Sequence, residues 1–423
     1  MDRLLVTGGC RLTGSVAVAG AKNSALKLMA ASLLVPGRTV VRNVPRIHDC
    51  HTMTEVLDHL GAGVVWDGNT VMIDASTLTS AEAPYELVRR MRASTAVLGS
   101  LLARMGRARV AMPGGDEIGS RPIDLHVGGL MKMGAEISSE HGFLLARTSG
   151  LRGATITLDY PSVGATENLM MAAVRASGTT VIDNAAREPE IADIATFLVA
   201  MGARIEGAGT STIVVEGVED LRPAEHTTIP DRIETGTWAA AAVATQGDVT
   251  IVGAHAEHLD LFLQKLTDTG ASVTQEPHGL EVRQATRPRA IAFATLPHPG
   301  LATDFQPILM AMLATAEGTS IATENVFESR FLYVDELRRM GADIRTEGHH
   351  AVIRGVPRLS AAPVRALDIR AGAAMVIAAL VADGVTEISE LHHLDRGYEG
   401  FGDKLAALGA DVRRIEEPAV TLP

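Results

Sequence analysis

Cysteine and aromatic residues are scarce in this chain of 423 residues. Its two cysteines, Cys10 and Cys50, are too few for a disulfide framework or a cysteine-rich metal cluster. Aromatic residues make up 3 % of the chain, too few for a platform on which nucleic-acid bases stack. We therefore expect two inert thiols, no metal centre and no cofactor.

Positive charge is also in deficit, and long apolar segments are missing. The chain has 38 Lys and Arg against 50 Asp and Glu, a net charge of −12, which argues against a broad nucleic-acid or membrane surface. Its apolar runs stop well short of the roughly 20 residues that a membrane helix needs. No targeting segment is visible at the start. The sequence therefore predicts a soluble cytoplasmic protein that binds neither nucleic acid nor membranes.

What the chain does contain is a repeat, marked by Gly-Ala pairs. They begin at positions 61, 134, 202, 270, 341 and 409, at steps of 73, 68, 68, 71 and 68 residues. A fixed period of about 70 residues means that one supersecondary unit has been copied. Each pair follows an amphipathic helical pattern, where glycine is typical of a helix C-terminus.

Each repeat has the same order of predicted elements. An apolar helix comes first, as in 23–34, 93–105 and about 167–176, and a glycine turn leads from it into a β-branched strand. An amphipathic helix, its Gly-Ala end and a hairpin follow, such as 64–66 and 70–73 around Asp67-Gly68. The first helix is apolar all round, which indicates a fully buried helix.

Six such units exceed one ordinary core, so we expect two α/β domains of three repeats each. The predicted domains are 22–229, carrying a mobile loop at 112–122, and 1–21 together with 230–423. The last repeat lacks a final strand, whereas the chain opens with a spare strand at 4–9. We expect the N-terminal strand to complete the C-terminal domain.

Polar residues stand where the buried helices begin. Four bases lie there, at Lys22, Arg92, Arg232 and Arg370. Helix N-termini collect anions, so the bases suggest a basic cleft for an anionic small molecule. The alternative, that these are solvated bases beside ordinary helix caps, is about equally probable at any single position. Four bases at equivalent positions weaken it, because the helix dipole disfavours cations there.

Nine short segments, in order along nearly the whole chain, resemble the UDP-N-acetylglucosamine 1-carboxyvinyltransferases, which are UDP-GlcNAc enolpyruvyl transferases. They are residues 20–23, 91–94, 113–122, 161–166, 184–190, 230–234, 303–304, 324–330 and 395–398. The resemblance implies an inside-out α/β barrel of two domains and six βαβαββ repeats, the enolpyruvyl transferase fold. It implies a site between the domains, with phosphoenolpyruvate and UDP-N-acetylglucosamine as substrates.

The resemblance also assigns the site. The general base is Asp304, and the cations for phosphoenolpyruvate are Lys22, Arg121 and Arg396, with Arg92 nearby. Arg330 and Arg370 complete the basic set. Nucleotide contacts fall to Arg121, Pro122, Ile123, Asp124, Leu125, Ser162, Val163 and Gly164, and sugar contacts to Asn23 and Val326.

Two positions depart from the pattern of well-known members. Asp116 stands where most of them carry a cysteine on the mobile loop, as in actinobacterial members. The position must protonate a carbon, so Asp116 is the expected acid, with a pKa raised above its usual range near 4. Because a carboxylate is a weaker nucleophile than a thiolate, we expect resistance to fosfomycin, which alkylates that cysteine. The other departure is Tyr160, where some members have lysine.

Two alternatives share the same fold. A 5-enolpyruvylshikimate-3-phosphate synthase would use the same donor with a small phosphorylated ring, and would need no uridine pocket. A non-catalytic paralogue would bind the nucleotide sugar and regulate, but loss of Lys22, Asp304 or Arg396 would then be expected, and all three are present.

Overall fold

The computed structural model describes residues 2–91, 95–112, 118–119 and 122–416. Their contacts divide them into two compact units, built mainly from Gly20–Gly115 with Arg121–Ile229 and from Met1–Ala19 with Pro230–Pro423. Each unit has its own hydrophobic core. We call them the 20–229 unit and the 230–416 unit.

Six four-stranded mixed sheets repeat along the described chain, three in each unit. In every sheet, the first strand lies at an edge and pairs in parallel with the second. The third strand is antiparallel to the second and to the fourth. In the 20–229 unit the strand orders are Glu225–Thr227, Arg38–Arg42, Thr70–Asp74, Gly63–Asp67; then Glu82–Ala83, Arg107–Ala111, Phe143–Arg147, Glu136–Glu140; and Thr155–Thr157, Thr179–Asp183, Thr212–Glu216, Arg204–Glu206.

The 230–416 unit repeats this arrangement, except that the N-terminal strand replaces one hairpin strand. Its sheets are Thr13–Ala17, Asp248–Val252, Gly279–Arg283, Ser272–Glu276; then Ala292–Ala294, Thr319–Thr323, His350–Arg354, Asp343–Glu347; and Pro363–Arg365, Val385–Ser389, Arg3–Thr7, Asp411–Ile415. In the last, the N-terminal strand pairs antiparallel with both neighbours, in the place where the other sheets have a hairpin strand. A short pair, Leu359–Ser360 with Ala382–Asp383, lies beside these sheets.

Buried helices fill the centre of each unit. They are Lys22–Ala31, Val97–Met105 and Val163–Ala173 in one unit, and Arg232–Ala244, Gln306–Leu313 and Ile369–Leu380 in the other. Every residue of Ile369–Leu380 is buried, Arg370 included, and the apolar run that begins at Ala371 predicts this burial. Buried residues alternate with more exposed ones in strands such as Thr212–Glu216 and His350–Arg354, so one face of these strands packs inward. This is the expected inside-out arrangement, with helices inside and sheets outside.

A second set of helices is amphipathic and lies against the sheets. Its members are His48–Leu60, Asp124–Lys132, Pro189–Ala200, Asp260–Asp268, Val334–Arg339 and Phe401–Ala407, with short helices at Tyr85–Val88 and His392–Asp395. Short 3-10 turns include Ser32–Leu34, Ala256–His258 and Thr303–Phe305. Within the described ranges, no helix is both long enough and apolar enough to cross a membrane.

The Gly-Ala pairs lie where the repeat predicts, at the ends of the amphipathic helices. All six glycines have positive φ, between 89° and 107°. That backbone conformation is strained for residues with a Cβ, so the recurring glycine has a conformational cause.

Several element boundaries differ from expectation. The N-terminal strand ends at Thr7 rather than at residue 9, and the third buried helix ends at Ala173 rather than near residue 176. Two further differences have a local cause. The third buried helix begins at Val163 rather than near Thr166, because Ser162 caps it and its Oγ accepts a hydrogen bond from the Ala165 N–H at 3.3 Å. The first hairpin turns at Gly68-Asn69 rather than at Asp67-Gly68, because Asp67 still pairs with Thr70.

Candidate active site

Asp304 lies in the 3-10 turn that leads into the buried helix Gln306–Leu313. Its Oδ1 accepts hydrogen bonds from Nη2 of Arg330 at 3.1 Å and from Nε of Arg370 at 3.4 Å. The arginine side chains are 3 % and 7 % exposed, whereas that of Asp304 is 29 % exposed. Two buried guanidiniums therefore hold a carboxylate that a ligand can still reach.

These cations decide the protonation state of Asp304. Burial of the carboxyl would raise its pKa, but Arg370, Arg330 and Arg232 outweigh that effect and hold the pKa well below its usual range. Asp304 is thus ionised at neutral pH and can accept a proton. It is a weak base for as long as both arginines bind it.

Arg370 and Arg232 are held at helix starts by aspartate caps. Asp368 Oδ1 accepts the backbone N–H groups of Arg370 at 2.7 Å and Ala371 at 3.0 Å. Asp231 caps the helix Arg232–Ala244 in the same way. Both acids are therefore ordinary helix caps, and the arginine next to each is buried rather than solvated. The basic site stays a prediction.

The segment after Arg396 is tied to Arg370. The Arg370 guanidinium lies over the Tyr398 ring, 5.4 Å from its centroid, and the Tyr398 hydroxyl lies 2.9 Å from Thr237 Oγ1. Burial raises the pKa of the Tyr398 phenol even though Arg370 opposes the shift. Arg396 itself is half-buried and caps the end of the helix His392–Asp395.

In the 20–229 unit, Lys22 opens the first buried helix and contacts a carboxylate. Its Nζ lies 2.7 Å from Asp49 Oδ2, and the two side chains are 9 % and 4 % exposed. Asn23 follows it and is half-buried. Sequence reasoning missed Asp49, because an acid in the first turn of an amphipathic helix is an ordinary helix-start residue.

In the same unit, two segments that are expected to contact the nucleotide lie close to each other. Residues 122–125 enter the helix Asp124–Lys132, and Ser162, Val163 and Gly164 begin the third buried helix. A Cβ on Gly164 would lie 3.1 Å from the His126 ring, so the two segments approach closely there. His126 Nδ1 in turn lies 3.0 Å from the Asn168 amide nitrogen.

Three expected site residues, Arg92, Asp116 and Arg121, lie outside the described residues. Of the others, Lys22, Asn23, 122–125 and 162–164 belong to the 20–229 unit. Asp304, Val326, Arg330, Arg370 and Arg396 belong to the 230–416 unit. Tyr160 is 41 % exposed.

Neither cysteine forms a disulfide within the described part of the chain. Cys50 is buried, and Cys10 is half-buried. Burial raises the pKa of the Cys10 thiol, which favours its unreactive protonated form.

Comparison with known proteins identifies relatives along the whole chain. A family model described as EPSP synthase (3-phosphoshikimate 1-carboxyvinyltransferase) matches residues 6–405. The chain is 54 % identical over 415 residues to the UDP-N-acetylglucosamine 1-carboxyvinyltransferase of Corynebacterium jeikeium, covering 98 % of this chain and 99 % of the relative. It is 53 % identical over 414 residues to that of Mycobacterium tuberculosis, with the same coverage.

The fold also matches a solved structure. The crystal structure of the enolpyruvyl transferase NikO from Streptomyces tendae superposes with a TM-score of 0.89 at 29 % identity, covering 99 % of both chains.

Proposed function

Because the chain belongs to the family of UDP-N-acetylglucosamine 1-carboxyvinyltransferases, we propose that it acts on phosphoenolpyruvate and UDP-N-acetylglucosamine. It transfers the enolpyruvyl group of the first to the 3-hydroxyl of the second and releases phosphate. This is the first committed step of peptidoglycan precursor synthesis. The observation that carries the proposal is identity above 50 % along almost the full length of such relatives.

The reaction is an addition followed by an elimination, and Asp304 is the proposed base. In the addition, the 3-oxygen of the sugar attacks C2 of phosphoenolpyruvate while its proton passes to Asp304 and a proton reaches C3. In the elimination, C3 loses a proton and phosphate leaves C2. Asp304 is already ionised before the hydroxyl arrives, so it can accept the proton.

Asp304 must become a stronger base once substrate is bound. We infer that an anionic substrate group shares Arg370 or Arg330, which weakens their hold on Oδ1. The pKa of Asp304 would then rise towards its ordinary value at the step that needs it.

Several cations are needed for phosphoenolpyruvate, and we propose Lys22, Arg121 and Arg396, with Arg92 beside them. The Lys22–Asp49 contact supports this, because a carboxylate partner 2.7 Å away holds the buried lysine side chain in a fixed orientation. Uridine and diphosphate contacts fall to Arg121 with residues 122–125 and to Ser162, Val163 and Gly164. Asn23 and Val326 contact the sugar.

Asp116 is the proposed acid that protonates C3. In this respect the chain is an actinobacterial-like member of the family, with aspartate at the loop position where cysteine is common. An aspartate donates only when protonated, so exclusion of water by the bound substrates must raise its pKa.

We further propose that the two units act as domains bounded at 22–229, with the loop 112–122, and at 1–21 with 230–423. We also propose that the enzyme works in the cytoplasm.

Mass spectrometry of the product tests the proposed function. Incubation with phosphoenolpyruvate and UDP-N-acetylglucosamine should give a nucleotide sugar heavier by one enolpyruvyl group in place of a hydrogen. Asp304→Ala should abolish this product while nucleotide-sugar binding, measured by calorimetry, stays within a few-fold. Unchanged nucleotide sugar with the unaltered protein would refute the proposal.

A further inference from the structure

We propose that Glu324 is a positioning residue that fixes the catalytic base and the sugar-contacting segment relative to each other. This inference rests on the proposed function, since it takes Asp304 as the base and Val326 as the sugar contact. Glu324 follows the strand Thr319–Thr323 and is 1 % exposed. A carboxylate so deeply buried must be satisfied by surrounding donors.

Four donors converge on this one carboxylate. Oε2 accepts the Thr303 hydroxyl at 2.9 Å. Oε1 accepts the Thr295 hydroxyl at 2.8 Å and the backbone N–H groups of Val326 at 2.8 Å and Phe327 at 3.2 Å. Because the two oxygens of a carboxylate offer about four lone-pair sites, the group can accept four donors at once.

The two oxygens connect to different parts of the site. Thr303 is the residue before Asp304, in the same 3-10 turn, so Oε2 anchors the segment that carries the base. Oε1 anchors the turn at Val326, where the sugar is expected to bind. Glu324 therefore joins the two segments through one rigid group.

Thr295 supports only the second connection. Its hydroxyl donates to Oε1 and also accepts the Asn325 N–H at 2.9 Å, and its carbonyl accepts the Asn325 side-chain amide at 3.1 Å. The two threonines therefore form a matched pair. Each donates one hydroxyl hydrogen bond to the same carboxylate, but only Thr303 adjoins Asp304.

This pair separates positioning from general stability. Thr303→Val removes the tether beside the base, and we expect the single-turnover rate at saturating substrates to fall about tenfold, because small displacements of a catalytic group are costly. Its UDP-N-acetylglucosamine affinity should stay within twofold. Thr303→Ser keeps the hydroxyl and should restore the rate.

The control variant, Thr295→Val, should change substrate affinity rather than the single-turnover rate. We expect weaker UDP-N-acetylglucosamine binding by calorimetry and a saturated single-turnover rate within twofold of the unaltered protein. Both valine variants should lower the thermal midpoint, because each leaves the buried carboxylate short of one donor.

The proposal is overturned if Thr303→Val lowers the thermal midpoint but leaves the single-turnover rate unchanged, or if both valine variants reduce that rate equally. Either result would make Glu324 a merely structural residue. An inactive unaltered protein would instead contradict the proposed function, so the two failures are distinguishable.

Discussion

At the scale of single residues, the chemistry depends on how tightly Asp304 is held. Arg370 and Arg330 both donate to Oδ1, and neither donates to Oδ2 among the described contacts. The positive charge of Arg232 also lowers the Asp304 pKa. The strength of the proposed base is therefore set by its neighbours rather than by the carboxylate itself.

Replacing Arg370 should move the acid limb of the pH–rate profile. The pKa of Asp304 is depressed in the intact site, so the ionised base persists to low pH. Arg370→Gln removes the largest lowering charge, raises that pKa, and should shift the acid limb of kcat/KM to higher pH. Arg232→Gln removes a charge that lowers the Asp304 pKa less than Arg370 does, so it should shift the acid limb less. An unmoved acid limb in Arg370→Gln would mean that the limb reports another group.

Sequence reasoning at this scale found the residues that carry a motif and missed those that support them. Asp304, Lys22 and Arg396 stand in recognisable segments. Glu324 also stands in such a segment, at the start of 324–330, but neither it nor Asp49 reveals its role, because their partners are brought to them by tertiary folding. A buried acid and an exposed acid look alike in a single sequence.

At the scale of elements, the six Gly-Ala pairs are explained by one backbone requirement. Each glycine has φ near 100° at the end of an amphipathic helix, which lets the chain turn into the hairpin. Because the requirement recurs in every repeat, the period could be read from the sequence. The start of the third buried helix could not, since serine, aspartate and threonine near it all resemble caps.

A pair of alanine substitutions tests this requirement. Gly409 has φ of 93° with nothing within 4 Å of an added Cβ, so Gly409→Ala introduces only backbone strain. We expect it to lose about 1–2 kcal/mol of stability. Gly128 is equally open but lies inside the helix Asp124–Lys132 without positive φ, so Gly128→Ala should be neutral or stabilising by up to about 1 kcal/mol.

Thermal unfolding followed by circular dichroism would compare the two variants. Opposite shifts of the unfolding midpoint would support the account. Equal shifts of the midpoint would show that the positive φ at the Gly-Ala pairs does not require glycine.

At the scale of the whole molecule, six copies of one unit form two cores, and the N-terminal strand completes the last sheet. The architecture was predictable because period, buried helices and the spare strand are all sequence patterns. The expected loop acid, Asp116, lies outside the described residues. Its chemistry remains a proposal from the sequence.

Fosfomycin tests the loop position. The unaltered enzyme should keep full activity after incubation with fosfomycin, because a carboxylate opens the epoxide far more slowly than a thiolate does. Asp116→Cys should become time-dependently inactivated, with one covalent adduct seen by intact-mass spectrometry. Rapid covalent inactivation of the unaltered enzyme would contradict the assigned role of Asp116.

The central claim, that this chain is an enolpyruvyl transferase for a nucleotide sugar, is tested most directly by phosphate release from the purified protein. Phosphoenolpyruvate is supplied with UDP-N-acetylglucosamine or, in parallel, with shikimate 3-phosphate, from pH 5 to 9. The account predicts release with UDP-N-acetylglucosamine alone, falling at high pH as Asp116 loses its proton. Release with shikimate 3-phosphate, or with neither acceptor while UDP-N-acetylglucosamine still binds, would contradict it.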